Sequence, residues 1–188
     1  MAYYKRLTLG IAASKRVIVP HAASLNINTK LSWEMWIEAG ALTDPSYFVG
    51  RWPYPAVGNH IWWIGILTYG ANPRCIQFQL SDNGTTTRKH WQHPTTNFGT
   101  SGWYHLCMTV DTGVPEVYVN GSKLSGWTKV VDAGMTALYG GTADLEIGWH
   151  DGFNGHQGPC ALWGGSAVLT QAEVTARYNS GTPTDPNY

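Results

Sequence analysis

The sequence is short of charge. Only 13% of its 188 residues are Asp, Glu, Lys or Arg, and 12 basic residues balance 12 acidic ones to a net charge of +0; an ordinary domain carries about 25% charged residues. A balanced, scattered set leaves no positive field to gather phosphate backbones, so nucleic acid is not an expected partner. The chain also lacks any apolar run near the roughly 18 residues that span a bilayer. Its start, Met1-Ala2-Tyr3-Tyr4-Lys5-Arg6, has no apolar stretch of the signal-peptide kind. The expectation is a chain that does not span a membrane and is made in the cytoplasm without a signal peptide. Cysteine is scarce too: Cys75, Cys107 and Cys160 are an odd number without close spacing, so buried thiols are expected rather than a disulfide framework. No Gly-rich phosphate loop, Gly-x-Ser-x-Gly elbow or Cys-x-x-Cys occurs, which leaves nucleophilic catalysis without a candidate and calls for no cofactor.

Aromatic and β-forming residues are plentiful instead. Hydrophobic residues make up 43% of the chain, with 10 Trp, 10 Tyr and 4 Phe, enough to exclude disorder. Short runs rich in Val, Ile, Trp, Tyr and Thr alternate with Gly, Pro, Asn and Asp clusters, the pattern of many short strands. Strands are expected at 5–9, 16–20, 31–39, 46–51, 60–68, 75–81, 86–91, 103–111, 116–123, 144–148 and 160–164. Ser81-Asp82-Asn83-Gly84 and Val119-Asn120-Gly121-Ser122 place Asn-Gly where a two-residue hairpin turn needs positive φ. One helix is expected at 171–179: Thr170 and Glu173 form a capping-box pattern, and Ser180-Gly181 supplies the stop. No repeat, linker or charge block interrupts the chain, so residues 1–188 are read as one domain.

Several segments, in order, carry a resemblance. They are Arg16-Val17-Ile18-Val19-Pro20 with Ala23-Ser24-Leu25, Leu31-Ser32-Trp33-Glu34-Met35-Trp36-Ile37, Trp103-Tyr104-His105-Leu106-Cys107-Met108-Thr109-Val110-Asp111, and Val117-Tyr118-Val119-Asn120-Gly121. Leu145-Glu146-Ile147-Gly148 with Phe153-Asn154-Gly155, and Ala167-Val168-Leu169-Thr170-Gln171-Ala172-Glu173-Val174 with Tyr178, complete the series. Together they resemble the laminin G-like, pentraxin-type branch of the concanavalin A-like lectin/glucanase superfamily. The resemblance implies an all-β fold, a jelly-roll sandwich of two antiparallel sheets with one short C-terminal helix. It leaves function open, because this fold hosts lectins, glycosidases and interaction modules. Where the family often has an Ile-Asp-Glu run, this chain reads Gly158-Pro159-Cys160-Ala161-Leu162-Trp163, so a calcium role through that Asp does not carry over.

Among chemical candidates, Glu34 and Glu38 share one strand face with Trp36 between them. Laminarinase-type glycosidases of the superfamily carry two Glu at this spacing, but with an Asp between them that helps set their protonation, a task Trp36 cannot perform. A glycoside hydrolase using Glu34 and Glu38 is therefore the third reading, and the expectation is no enzyme. The pair His90 and His93, and the set His150, Asp151 and His156, fall short of the three or four clustered ligands a zinc site needs; they are read as solvated loop histidines, with no metal. His105 is read as structural.

Trp33, Trp36, Trp62, Trp63, Trp103 and Trp163 lie in strand-like runs and are read as core. Trp52, Tyr54, Trp91, Trp127 and Trp149 sit beside turn residues, where an exposed aromatic stacks on a sugar or anchors a protein; these five are the expected ligand-binding residues, with Asn59, Gln92, Asn97, Asp151 and Asn154 as hydrogen-bonders. On that basis Trp52→Ala and Trp127→Ala are expected to weaken binding while leaving stability nearly unchanged. Low charge with many Trp and Tyr suits a surface buried in an assembly. The first functional reading is a non-enzymatic, surface-displayed binding module, a phage virion decoration or fibre-type protein on a capsid or tail scaffold. It would meet surface glycans, act at the virion surface or outside the cell after release, and could self-associate. A free carbohydrate-binding lectin is the second.

Overall fold

The computed structural model describes residues 9–11, 16–39, 46–53, 58–69, 72–94, 98, 102–148 and 155–179; for 9–11, 39, 69, 72–74, 155 and 156 only the backbone is described. Thirteen strands form two antiparallel sheets. The six-stranded sheet runs β1(Leu9–Ile11), β13(Gly155–Gly164), β3(Lys30–Ala39), β8(Trp103–Asp111), β9(Val114–Val119), β10(Ser122–Lys123). The seven-stranded sheet runs β11(Thr128–Asp132), β7(Lys89–His93), β6(Asn72–Gly84), β5(His60–Tyr69), β4(Ser46–Arg51), β12(Leu145–Ile147), β2(Val17–Val19). The expected all-β sandwich is present. A helix, α1(Gln171–Tyr178), closes the described chain.

Alternation builds the core. Trp33, Met35 and Ile37 of β3 and Leu106, Met108 and Val110 of β8 face Ile64, Ile66, Ile76, Phe78 and Leu80 of β5 and β6, all buried in one cluster. The intervening residues therefore point away from the core, and each sheet has an outer face.

Of the two Asn-Gly turns, the second forms as expected. Asn120 (φ 50) and Gly121 (φ 73) join Val119 to Ser122, which pair directly. The first does not: Gly84 pairs back to His60, and the pairing of β6 with β7 starts at Leu80↔Lys89 rather than beside the Asn-Gly pair. The Asn83 side chain explains this, because its Oδ1 accepts from the backbone N–H of Thr85 and Thr86 (3.0 and 2.9 Å) and organises a wider loop. The helix keeps its capping box, with Thr170 and Glu173 bonding reciprocally. The sequence reading omitted β11, an edge strand with a bulge between Lys129 and Val131. All three cysteines are free, Cys75 and Cys107 buried and Cys160 half-buried. Among the described residues no helix is long and apolar enough to cross a membrane.

Candidate functional site

The aromatics divide differently from expectation. Trp33 and Trp62 fill the core, but Trp36, Trp103 and Trp163 lie on the outer face of the six-stranded sheet and Trp63 on that of the seven-stranded sheet. Period two demands this: Trp62 and Trp63 are adjacent and Trp33 and Trp36 are three apart, so neither pair shares a face. Conversely, Trp91 and Trp127, expected at an exposed rim, pack against the core through Phe78, with ring centroids 5.5 and 5.3 Å away. The ammonium of Lys129 covers the Trp91 ring at 4.2 Å, and its indole N–H donates to Asp132 (3.1 Å). Trp52 is buried at 8% exposure and stacks flat on His60 (4.1 Å, 8°). The exposed-loop picture is thus corrected for these three, and a truncation of Trp52 or Trp127 will also cost stability. Tyr54 and Trp149, with Asn97, Asp151 and Asn154, lie outside the described residues.

The outer face of the six-stranded sheet is covered by α1. Val174, fully buried, packs with Cys107 and Tyr118. Beneath the helix, Glu34 is buried at 6% exposure. Its carboxylate stands 3.3 Å from His105 Nε2 and accepts from Arg177 of α1 at 3.4 Å. Arg177 also lies over the Trp163 ring (4.6 Å), and Trp36 stacks on Tyr178 (6.0 Å). Glu34 and Glu38 do share a face, as expected, but Glu34 is engaged in fixing the helix. Burial, and then the Glu34 charge, push the Cys107 thiol well above its ordinary range, so it is inert. His105 is structural through Nε2, while its buried Nδ1 has no partner.

The outer face of the seven-stranded sheet is built otherwise. Across β4, β5, β6, β7 and β11 the cross-strand partners are Tyr47↔Gly65, Gly50↔Trp63, Trp63↔Gln79, Gly65↔Gln77, Leu67↔Cys75, Gln77↔Gln92, Gln79↔His90 and Gln92↔Thr128. Opposed residues share a side, so this side carries one aromatic end and one amide end. At the aromatic end Trp63 (4% exposed) packs with Trp52, Tyr47 and Leu67; Tyr47 meets it edge-on at 5.1 Å. A Cβ on Gly50 would lie 2.7 Å from Trp63 Cβ, so the indole needs that glycine. At the amide end Gln77 and Gln92 are buried, and Gln79 and His90 are half-buried. Gln92 Nε2 lies 3.1 Å from both Gln77 Oε1 and His90 Nε2, Gln77 Nε2 donates to Leu67 O (3.4 Å), and Thr87 donates to Gln79 Oε1 (3.2 Å). Gln92 Oε1 is buried without a partner, an arrangement natural structures rarely leave unexplained.

His90 and His93 are therefore not loop histidines. Both lie on β7, and His93 Nε2 bonds Ser125 O (2.9 Å). Burial lowers the pKa of His90. Among the described residues no cluster of His, Cys, Asp and Glu could hold a metal. The sequence reading missed Tyr47, Trp63, Gln77 and Gln79 as site residues. The signal was present in Cys75-Ile76-Gln77-Phe78-Gln79-Leu80, where apolar residues alternate with uncharged amides.

A profile of the concanavalin A-like lectin/glucanases superfamily matches residues 12–175. The chain belongs to this superfamily. Among solved structures it is similar to domain 4 of AbnA, a GH43 extracellular arabinanase from Geobacillus stearothermophilus, in complex with arabinotriose: 18% identity, TM-score 0.57, covering 92% of this chain and 80% of that one. It is also similar to the binding domain of botulinum neurotoxin DC in complex with SialylT, at 13% identity and TM-score 0.62, covering 95% of this chain. The chain spans less than half of that toxin domain, 46%. A heptameric SAP-like pentraxin from Limulus polyphemus matches at 15% identity and TM-score 0.57, over 87% of this chain and 74% of that one. No curated protein matches the chain. At these identities the neighbours establish the fold, a jelly-roll sandwich of two antiparallel sheets.

Proposed function

We propose that the protein is a non-enzymatic carbohydrate-binding module whose site is the outer face of the seven-stranded sheet. The observation that carries this is the uncharged cluster itself. Aromatic rings at Tyr47, Trp52 and Trp63 stand beside the carboxamides of Gln77, Gln79 and Gln92, with one buried acceptor unpaired. Sugars present apolar C–H faces and hydroxyl edges, and the half-buried Tyr47, Gln79 and His90 offer partners for both, backed by the buried Trp52, Trp63, Gln77 and Gln92. The burial of Glu34 under α1, between His105 and Arg177, supports the non-catalytic reading. The neighbours in complex with arabinotriose and SialylT support glycan recognition on this fold.

The setting we propose is display on a larger particle, as a phage virion decoration or fibre-type protein held by a capsid or tail scaffold, at the virion surface or outside the cell. Low charge and a surplus of Trp and Tyr support it, since interface cores share that composition. Of the five loop aromatics, Trp52 keeps a place at the site. The packing of Trp91 and Trp127 argues for a structural role, and Tyr54 and Trp149 remain proposed contacts.

Titration of the protein with oligosaccharides while Trp fluorescence is read tests the binding. Saturable quenching that weakens in Tyr47→Ala and Gln79→Ala supports it, and no response across neutral and acidic sugars overturns it. Light scattering on natively purified protein tests the setting: co-purification with a shell or tail protein supports display, and a clean 20.7 kDa monomer favours a free lectin.

A further inference from the structure

We propose that this face selects uncharged glycans, with neutral His90 and the Gln79 carboxamide as the groups that read ligand hydroxyls and Gln92 as the residue that holds His90 neutral. The inference deepens the carbohydrate-binding reading and rests on it.

Gln77 Nε2 donates to Leu67 O, so Gln77 Oε1 faces Gln92 and accepts from its amide at 3.1 Å. The same amide nitrogen lies 3.1 Å from His90 Nε2, so its hydrogens are shared between the two. His90 Nε2 is therefore an acceptor, and the ring proton sits on Nδ1, free to donate to a ligand. His90 Nε2 also lies 3.3 Å from Gln77 Oε1; the assignment to an acceptor rests on the amide nitrogen of Gln92, which can only donate. A second proton on His90 would face the Gln92 amide hydrogens and force that carboxamide to turn, breaking its bond to Gln77. Desolvation lowers the His90 pKa in the same direction.

The surroundings offer a charge no partner. Gln77 and Gln79 face His90 from β6, and Thr128 and Val131 from β11. Of the charged residues paired across β7 and β11, Lys89, Lys129 and Asp132 lie on the Trp91 side. The charged groups beside it are held in ion pairs of their own: Arg88, two residues before His90, with Asp82 at 2.8 Å, and Glu146 on β12 with Arg16 at 2.9 Å. Other titratable groups on this side are the Tyr47 phenol, His60, stacked on Trp52, and the Cys75 thiol, which donates to Pro94 O. A ligand carboxylate placed here would lose water and gain no cation, a penalty an uncharged hydroxyl avoids.

Binding of arabinotriose, neutral glucose hexasaccharides and 3′-sialyllactose, measured by calorimetry at pH 7.5 and 4.5, tests the selection, with the tautomer of His90 read by nitrogen NMR in the free protein. The expected result is binding of at least one neutral sugar at pH 7.5, no binding of sialyllactose at either pH, and a neutral His90 carrying its proton on Nδ1. Neutral-sugar affinity is expected to be lower at pH 4.5 than at pH 7.5, as the neutral fraction of His90 falls. His90→Gln keeps an acceptor for Gln92 and loses the titration, so its affinity is expected to be lower at pH 7.5 and equal at the two pH values. Sialyllactose binding as tightly as the neutral sugars, a charged His90 at pH 7.5, or an unchanged pH response in His90→Gln overturns the inference and leaves the carbohydrate-binding reading standing. Absence of binding by every sugar overturns that reading instead.

Discussion

The two outer faces follow the same strand alternation and do opposite things with it. On the six-stranded sheet, Glu34, His105 and Arg177 form a charged network that a helix seals. On the seven-stranded sheet, the side over β5, β6 and β7 carries amides, an imidazole and aromatics, with the ion pairs Arg88–Asp82 and Arg16–Glu146 at its margins and Lys89, Lys129 and Asp132 on the opposite side. The contrast teaches where ionised groups are tolerated. A buried carboxylate needs a dedicated cation, and α1 brings one; the amide cluster of the other face buries groups that stay neutral.

The largest expected effect tests the aromatic end of the uncharged face. Trp63→Ala removes an indole 4% exposed and should cost about 4 kcal/mol, with loss of sugar-dependent fluorescence quenching. A thermal melt unchanged within error would show that Trp63 is not packed as described. Next, Glu34→Ala strips the partner from buried His105 and from Arg177. It should cost about 3 kcal/mol, roughly 6–12 °C in Tm for a domain of this size, while sugar affinity stays at the wild-type value. Loss of binding in a folded Glu34→Ala protein would break the division between the faces. Gln79→Ala inverts the pattern: an affinity loss of about tenfold by calorimetry, with stability within about 0.5 kcal/mol. Thr170→Ala deletes the capping box of α1 and should cost about 1 kcal/mol in chemical denaturation, without touching the sugar site.

The smallest effect is on pH. His90 has a lowered pKa when folded, so the unfolded chain binds the proton more tightly, and stability is full above about pH 6.5 and declines as pH falls below it. Asp132, held at about 2 by hydrogen bonds to Lys89 and Lys129, acts lower, where stability is lost as pH falls from about 4 towards 2. A Tm decline between pH 6.5 and 4.5 that vanishes in His90→Gln separates the two.

Much of the fold was legible in order and pattern. Ser46–Arg51 and Trp103–Asp111 run as the sequence indicates, and the Thr170 cap lies where Glu173 puts it. Other features depended on partners distant in sequence. Asn83 looked like a hairpin corner, but its side chain bonds the following amides. Trp91 looked exposed because His93 and Pro94 follow it, yet its pairing with Phe78 turns it inward. The site was half legible: Gln77 and Gln79 alternate visibly with apolar neighbours, whereas the approach of Gln92 and His90 to them comes from pairing between β6 and β7.

The division between the faces is tested most directly by mapping backbone and side-chain NMR shifts while a neutral oligosaccharide is added. The account expects changes at Tyr47, Trp63, Gln79, His90 and Gln92, with Glu34, His105 and residues 171–178 unmoved. Shifts centred on α1 and β3, with the amide cluster silent, would contradict it.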